Sequence, residues 1–227
     1  MPVEARTDRL ARLRQEYADA GLSDQETVDD PMGLFGRWLD AALSSGLHEA
    51  NAMTLATVDT EGRPAARLVL LKELTAEGFC FFTNYESRKS EELRAEPRCA
   101  LVFPWHPLQR QVRVEGVAKQ LSEAASAAYF TRRPRGSQLG AWASPQSRVV
   151  ADRQALDAAY HRVEERFAGV EEVPRPPHWG GWRVEPLLIE FWQGRPGRMH
   201  DRLRFARSCL DTAAATDRSW HRDRLAP

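Results

Sequence analysis

The sequence predicts an α+β chain dominated by β structure, a small antiparallel barrel with helices packed around its outside. Between residues 52 and 121, short β-prone runs alternate with turn signals: AMTLATVD, TEGR, PAARLVLLKEL, TAEG and FCFFTN follow one another, the grammar of antiparallel hairpins. Flanking stretches repeat apolar residues at three- and four-residue spacing, which suits helices lying against such a barrel.

Taken in order, residues 4–20 place Leu10, Leu13 and Tyr17 on one helical face, and Gly21 ends the pattern. Asp30-Pro31 announces the next helix, a capping acid before proline at the first helical position, with Leu34, Phe35, Trp38, Leu39 and Leu43 as its apolar stripe and Gly46 as its end. The hairpins follow from Ala52. SRKSEELRAEP reads as a helix between strands, and CALVFPW and RQVRVEGVAKQL resume the sheet, the latter alternating Val112 and Val114 with Gln111, Arg113 and Glu115. Ser122 caps a helix that Pro134 breaks, and residues 151–168 form another through Leu156, Tyr160, Val163 and Phe167. After the proline-rich VPRPPHW, WRVEPLLIEFWQG and RMHDRLRFAR read as strands, with a last short one between Trp220 and Pro227.

Composition narrows the function. Acidic and basic residues balance at 32 each, so no net field draws the chain to nucleic acid or an anionic membrane, and any anion must be caught by a local cluster. Cys80, Cys99 and Cys209 are widely spaced and odd in number, which argues against a disulfide scaffold or a zinc site and fits a reducing compartment. The opening MPVEARTDRLARL lacks the apolar stretch of a secretory signal, and no run approaches the ~20 apolar residues of a membrane span. The expectation is a cytoplasmic protein.

Four constellations carry possible chemistry. Arg67 and Lys72 bracket RLVLLK; five steps apart, they fall on opposite faces of an ideal strand, so they serve different ligands, need a bulge, or are solvated strand ends. In TNYESRK, Arg88 and Lys89 sit at a helix start, where backbone N–H groups and the dipole attract phosphate and disfavour unpartnered cations. Tyr129 and Arg133 stand four apart on a helix face with Ser137 just beyond Pro134, a phenol, guanidinium and hydroxyl suited to a phosphomonoester, although taken alone the pattern reads more readily as an ordinary amphipathic helix end. Arg198, His200 and Arg202 alternate along the expected strand RMHDRLRFAR, three potentially cationic groups on one face that repel unless they meet water or an anion. The tryptophans read as core or interface residues, with Trp192 alone near the cationic strand.

These motifs, in this order, resemble the pyridoxamine 5'-phosphate oxidase family: RLVLLK, FFTNYESRK, FPWHPLQRQVRVEG, YFTRRPRGSQLGAW, SPQS, WGGWRV, IEFWQG, RMHDR and the terminal RLAP span Met53 to Pro227. RQEY at Arg14 to Tyr17 is similar to that family's substrate-covering segment. The resemblance implies an FMN-binding split barrel over residues 49–227, including a C-terminal dimerisation region, preceded by a helical segment over residues 1–48 that covers the active site. It implies a homodimer whose FMN sites are built from both subunits. Arg67, Leu68, Val69, Leu70, Leu71, Lys72, Phe82, Thr83, Arg88, Lys89 and Gln111 would hold FMN from one chain, Gln146 and Ser147 would reach it from the partner, and Trp192 and Arg202 would complete the site. Lys72, Tyr129, Arg133 and Ser137 would cradle the substrate phosphate, Arg14 and Tyr17 would cover it, and Arg198 and His200 would act over the pyridine ring.

The implied activity is oxidation of pyridoxamine or pyridoxine 5'-phosphate to pyridoxal 5'-phosphate, a step of vitamin B6 metabolism, with dioxygen as acceptor and no nucleic-acid or membrane partner. A related split-barrel flavin or deazaflavin reductase, or a non-catalytic FMN or pyridoxal-phosphate carrier, would share the flavin phosphate site; a reductase would not be expected to keep Tyr129, Arg133, Ser137, Arg198 and His200 together. Two stretches depart from the family pattern, the long segment from Ser208 to Ser219 and Glu49-Ala50 before Asn51, and neither removes a matched site residue.

Overall fold

The structure is a computed structural model that describes residues 17, 21–22, 30–207 and 219–227. The helix expected over residues 4–20, apart from Tyr17, lies outside the described residues, as do Arg14, Cys209 and nearly all of the long segment before Ser219.

Among the described residues, nine antiparallel strands form one sheet: β1 (Ala52–Val58), β2 (Pro64–Leu70), β3 (Glu73–Thr75), β4 (Gly78–Asn84), β5 (Arg98–Trp105), β6 (Arg110–Gln120), β7 (Trp179–Gln193), β8 (Asp201–Arg207) and β9 (Trp220–Leu225). Their order is β2-β1-β5-β6-β7-β4-β3, with β8 on β7 and β9 on β8. The two ends of that path, β2 and β3, are consecutive in the chain and joined through Leu71 and Lys72, so the sheet curls back on itself as a half-barrel, β2 and β3 not pairing with each other. The expected single run PAARLVLLKEL is therefore divided. At the corner Leu71 N donates to Asn51 O beside β1, and Lys72 N donates to Cys80 O on β4, because the strand changes partner there.

Alternation decides what faces inward. On β1, Met53, Leu55 and Thr57 are buried while their neighbours are half-exposed, and β5 does the same through Cys99, Leu101, Phe103 and Trp105. Helix α1 (Pro31–Ser44) joins this core through Leu34, Phe35, Trp38 and Ala42. Its start is the expected one, with Asp30 Oδ1 accepting from Met32 N at 3.0 Å and Pro31 in the first turn. Phe35 lies edge-on to Phe79 and Phe103 at 4.9 and 4.8 Å between ring centres.

A second, smaller core of Phe130, Leu139, Phe167, Val173 and Trp179 holds the remaining helices against the start of β7. Ser122 caps α3 (Glu123–Thr131), its Oγ accepting from Ala125 N at 3.2 Å, and α5 (Arg153–Arg166) matches the stretch expected over 151–168. Between them α4 (Arg135–Ala143) has no signal in the sequence, since RGSQLGAWA carries two glycines and a weak stripe. Tertiary bonds hold it instead: Gln138 Nε2 donates to Phe130 O at 3.0 Å, and Arg135 donates to Phe167 O and Val170 O at 2.7 and 2.8 Å. The remaining helix, α2 (Arg88–Ala95), lies between β4 and β5 as expected.

The largest departure concerns RMHDRLRFAR. Residues Pro196–Arg198 form a tight turn with Gly197 and Arg198 at φ +64° and +65°, and pairing with β7 begins only at Asp201, opposite Gln193. Arg198 and His200 thus belong to a hairpin connection, and only Arg202 stands on the strand, opposite Trp192. The left-handed turn is what brings the chain back antiparallel, so the expected shared face of Arg198, His200 and Arg202 does not form. Among the described residues no helix is long and apolar enough to cross a membrane.

Because Phe35 is fully buried among three aromatic neighbours, Phe35→Ala should cost about 3–5 kcal/mol, read as a lowered urea midpoint with little change in slope.

Candidate active site

Two adjoining cavities of about 280 and 270 Å³ open between β2, β4 and the α3–α4 connection. Leu68, Val69, Leu70, Lys72, Lys89 and Tyr129 line the first, Ser137 lines the second, and Phe82, Thr83, Arg133, Gln146 and Trp179 line both. The strand corner is what puts Lys72 there: Arg67 instead turns from β2 to Leu55 O and Glu92, so the two basic ends of RLVLLK have different surroundings.

Charge at the helix start is organised by one buried carboxylate. Glu92, only 4% exposed, accepts from Arg67 Nη2 at 2.7 Å, Arg88 Nε at 2.7 Å and Thr57 Oγ1 at 2.5 Å. Arg67 also donates to Thr57 Oγ1 and Leu55 O. Burial opposes the ionisation of Glu92, but these donors hold its carboxyl below the usual range. Among the described residues Lys89 has no carboxylate of its own. Its Nζ donates to Gln146 Oε1 at 2.9 Å, Thr83 Oγ1 at 3.1 Å and Ser87 Oγ at 3.2 Å, all neutral acceptors, and burial followed by the Arg67 charge pushes its pKa down to about 8. Three cations against one carboxylate leave two positive charges in excess, the complement of a phosphomonoester near pH 7.

A second cation faces the same space from across the cavity. Phe82, Tyr129 and Trp179 form a layered stack, Phe82 lying 3.8 Å from Tyr129 and 5.6 Å from Trp179. The Arg133 guanidinium rests on Trp179 at 4.5 Å, and its Nη1 is buried without a hydrogen-bond partner among the described residues. Burial lowers the pKa of Arg133 and raises that of Tyr129, so the phenol remains a donor. Arg133 reaches this position from beyond α3, which ends at Thr131, rather than from the helix face that the spacing suggested. A buried guanidinium with an orphaned N–H and a low-lying ammonium fit an anionic ligand such as FMN or a phosphorylated substrate.

The other expected residues lie at the far end of β7. Tyr17 packs edge-on against Trp192 and His200, with ring centres 5.9 and 5.4 Å apart, and Trp192 lies 4.7 Å from His200. His200 Nδ1 accepts from Arg195 N at 3.1 Å; since a backbone N–H only donates, the neutral ring carries its proton on Nε2. Burial, then the charge of Arg198, pushes the imidazole pKa down. Gln111 pairs with Trp192 across β6 and β7, while Arg202 donates to Glu190 at 2.8 Å and to Ala226 O at 3.0 Å.

Residues 39–167 match the family model described as pyridoxamine 5'-phosphate oxidase, and residues 179–227, spanning β7 to β9, match the pyridoxine 5'-phosphate oxidase C-terminal dimerisation region. The chain belongs to the pyridoxine/pyridoxamine 5'-phosphate oxidase family. Relatives with that name from Salinibacter ruber and Rubrobacter xylanophilus are each 54% identical, covering 96% and 100% of this chain and 99% and 100% of their own lengths. Among solved structures, PhzG from Burkholderia lata 383, in complex with tetrahydrophenazine-1-carboxylic acid, superposes with a TM-score of 0.83 at 29% identity, over 92% of this chain and 99% of that one. A pyridoxamine 5'-phosphate oxidase-related, FMN-binding protein from Nostoc punctiforme shares the fold, with a TM-score of 0.66 at 17% identity over 91% of this chain and 100% of its own. The β-dominated sheet with its outer helices is thus the split barrel of this oxidase family.

Within one protomer the expected site residues divide. Leu68, Val69, Leu70, Lys72, Phe82, Thr83, Lys89, Tyr129, Arg133, Ser137 and Gln146 share the double cavity. Leu71 is buried at the barrel corner, Arg67 and Arg88 stand behind Lys89 on Glu92, and Ser147 is exposed at φ +70° after Gln146. Gln146, expected from the partner, meets Lys89 of its own chain. Gln111, Trp192, Arg198, His200 and Arg202 line neither cavity. Glu92 went unnoticed in the sequence, although its position four after Arg88 was a legible ion-pair spacing.

A bound dianion requires Lys89 protonated, and the free protein loses that proton near pH 8, so ligand binding must take a proton back above it. Affinity for a phosphomonoester dianion, with FMN as the probe and fluorescence quenching as the readout, should hold between about pH 6.5 and 8 and fall above it, by at most about tenfold per pH unit, and Lys89→Arg should flatten the profile.

Proposed function

We propose that this protein is an FMN-dependent oxidase that converts pyridoxamine 5'-phosphate and pyridoxine 5'-phosphate to pyridoxal 5'-phosphate, with dioxygen as acceptor and hydrogen peroxide as product. The observation that carries the reading is the pair of cationic clusters on one cavity, each suited to one phosphate. Lys89, supported by Arg67, Arg88, Thr83 and Gln146, would take the FMN phosphate. Lys72, Tyr129, Arg133 and Ser137 would take the substrate phosphate, with the orphaned Arg133 N–H gaining its missing acceptor.

The assembly follows from the length of β7. Trp179 stands at its first residue beside the cavity, and Trp192 lies near its last beside His200. A strand rises about 3.3 Å per residue, so the thirteen steps from Trp179 to Trp192 run about 43 Å along the strand. One flavin cannot touch both within a protomer. A twofold homodimer through the matched dimerisation region would set the His200 end of one chain over the cavity of its partner, building two shared sites.

In such a site the phosphate clamps fix the substrate ring in place, the alignment that makes the reaction effectively unimolecular. Arg198 and His200 would orient the ring so that the carbon bearing the amine or hydroxyl can give up a hydride, with the proton lost from the amine or hydroxyl itself; the Nε2–H of neutral His200 is placed to donate an orienting hydrogen bond. Tyr17 over Trp192 and His200 would exclude water. Bound FMN would supply the two-electron acceptor that dioxygen regenerates.

The deciding measurement is anaerobic mixing of the FMN-loaded protein with each substrate. Bleaching of the flavin is expected; a flavin that stays oxidised would leave a carrier or a reductase of another substrate. Arg133→Ala should raise KM for the phosphorylated substrate by about 10- to 100-fold, the loss of a charge-assisted bond worth about 1.5–3 kcal/mol. Steady-state kinetics and bound-flavin absorbance should also separate Arg198→Ala, which lowers turnover more than FMN retention, from Lys89→Ala, which mainly weakens FMN.

A further inference from the structure

Asp201 stands between two expected site residues, His200 and Arg202, yet it belongs to neither phosphate clamp. Its carboxylate is only 13% exposed and gathers three separate parts of the chain. Oδ2 accepts from Leu22 N at 2.9 Å and from Arg195 Nη1 at 3.1 Å, while Oδ1 accepts from Arg224 Nη1 at 2.6 Å. Arg224 Nη2 also donates to Leu22 O at 3.3 Å. The peptide groups of Leu22 are therefore gripped on both sides, the N–H by Asp201 and the C=O by the C-terminal strand. Leu22 itself is buried at 6% exposure.

We infer that Asp201 is a positioning residue for the site, a latch that joins the N-terminal segment to β9 and so seats Tyr17 over His200 and Trp192. The inference rests on the proposed oxidase activity for its kinetic meaning, but the latch itself is a matter of geometry. Two glycines leave the room it needs. A Cβ on Gly21 would come within 2.7 Å of Arg195 Nη1, and a Cβ on Gly194 within 2.9 Å of the Tyr17 ring, distances at which one side must move.

The latch also reaches the imidazole directly. Arg195 binds Asp201 through its side chain and donates its backbone N–H to His200 Nδ1, so one residue connects the seating of the N-terminal segment to the tautomer and orientation of the ring. Burial opposes ionisation of Asp201, but the Leu22 N–H and the two guanidinium groups hold its carboxyl below the usual range, so the latch stays charged at neutral pH. Removing the charge while keeping the shape should loosen Tyr17 without touching either phosphate clamp.

The test uses the full-length FMN-loaded protein and Asp201→Asn. The expected result is a rise of about tenfold in KM for pyridoxamine 5'-phosphate with a smaller change in kcat, unchanged FMN content, and faster hydrogen exchange at the Leu22 amide. In a Tyr17→Ala background the same substitution should add nothing to KM, because the two changes remove one interaction. Arg224→Gln, which releases the other side of Leu22, should reproduce the faster Leu22 exchange and serves if Asp201→Asn does not fold. An undiminished KM effect in the Tyr17→Ala background, or unchanged Leu22 exchange in both variants, overturns the latch. Should the protein prove not to oxidise B6 phosphates, the exchange rates still decide the latch by themselves.

Discussion

Everything in this fold hangs on β7. Its fifteen residues pair with β4 at one end, β6 along most of the length and β8 at the other end, so one continuous ladder joins barrel, helices and C-terminal hairpin. The start of the strand presents Trp179 to the phosphate cavity and to the small core that steadies α3 and α4; its end presents Trp192 to His200. The same ladder that stabilises the fold also holds Trp179 and Trp192, and the expected site residues beside each, at opposite ends of one strand.

Charge placement follows a similar economy. Among the described residues Glu92 is the single acid behind Arg67, Arg88 and Lys89, close enough to order the guanidinium groups and too little to neutralise all three. Lys89 consequently sits among neutral oxygens with a depressed pKa, and across the cavity Arg133 holds a buried N–H with no partner among the described residues. Buried cations left in this condition lower stability unless an anion arrives, which ties occupancy of the site to the firmness of the surrounding structure. The aromatic layers of Phe82, Tyr129 and Trp179 supply the rigidity that keeps those cations apart.

The hairpin between β7 and β8 turns a sequence of alternating charges into a different object. Positive φ at Gly197 and Arg198 curls the chain, His200 is fixed by the Arg195 N–H, Arg202 is drawn to Glu190, and Asp201 faces the N-terminal segment. Neighbours along the chain thereby acquire separate duties.

Local pattern was enough for the barrel strands, for α1 with its Asp30-Pro31 start, for the Ser122 cap and for the last strand at Trp220, because each is written in short-range periodicity and capping chemistry. The helix-start placement of Arg88 and Lys89 was legible for the same reason, and the ordered motifs named the family. Tertiary structure alone decided the rest. α4 exists through bonds from Gln138 and Arg135 to distant carbonyls, PAARLVLLKEL divides where the sheet curls back, Arg133 enters the cavity from beyond its helix, and Arg198 leaves the strand through a left-handed turn. In each case the deciding partner lies far away in sequence or the backbone departs from its regular period, and a pattern of nearest neighbours holds no information about either.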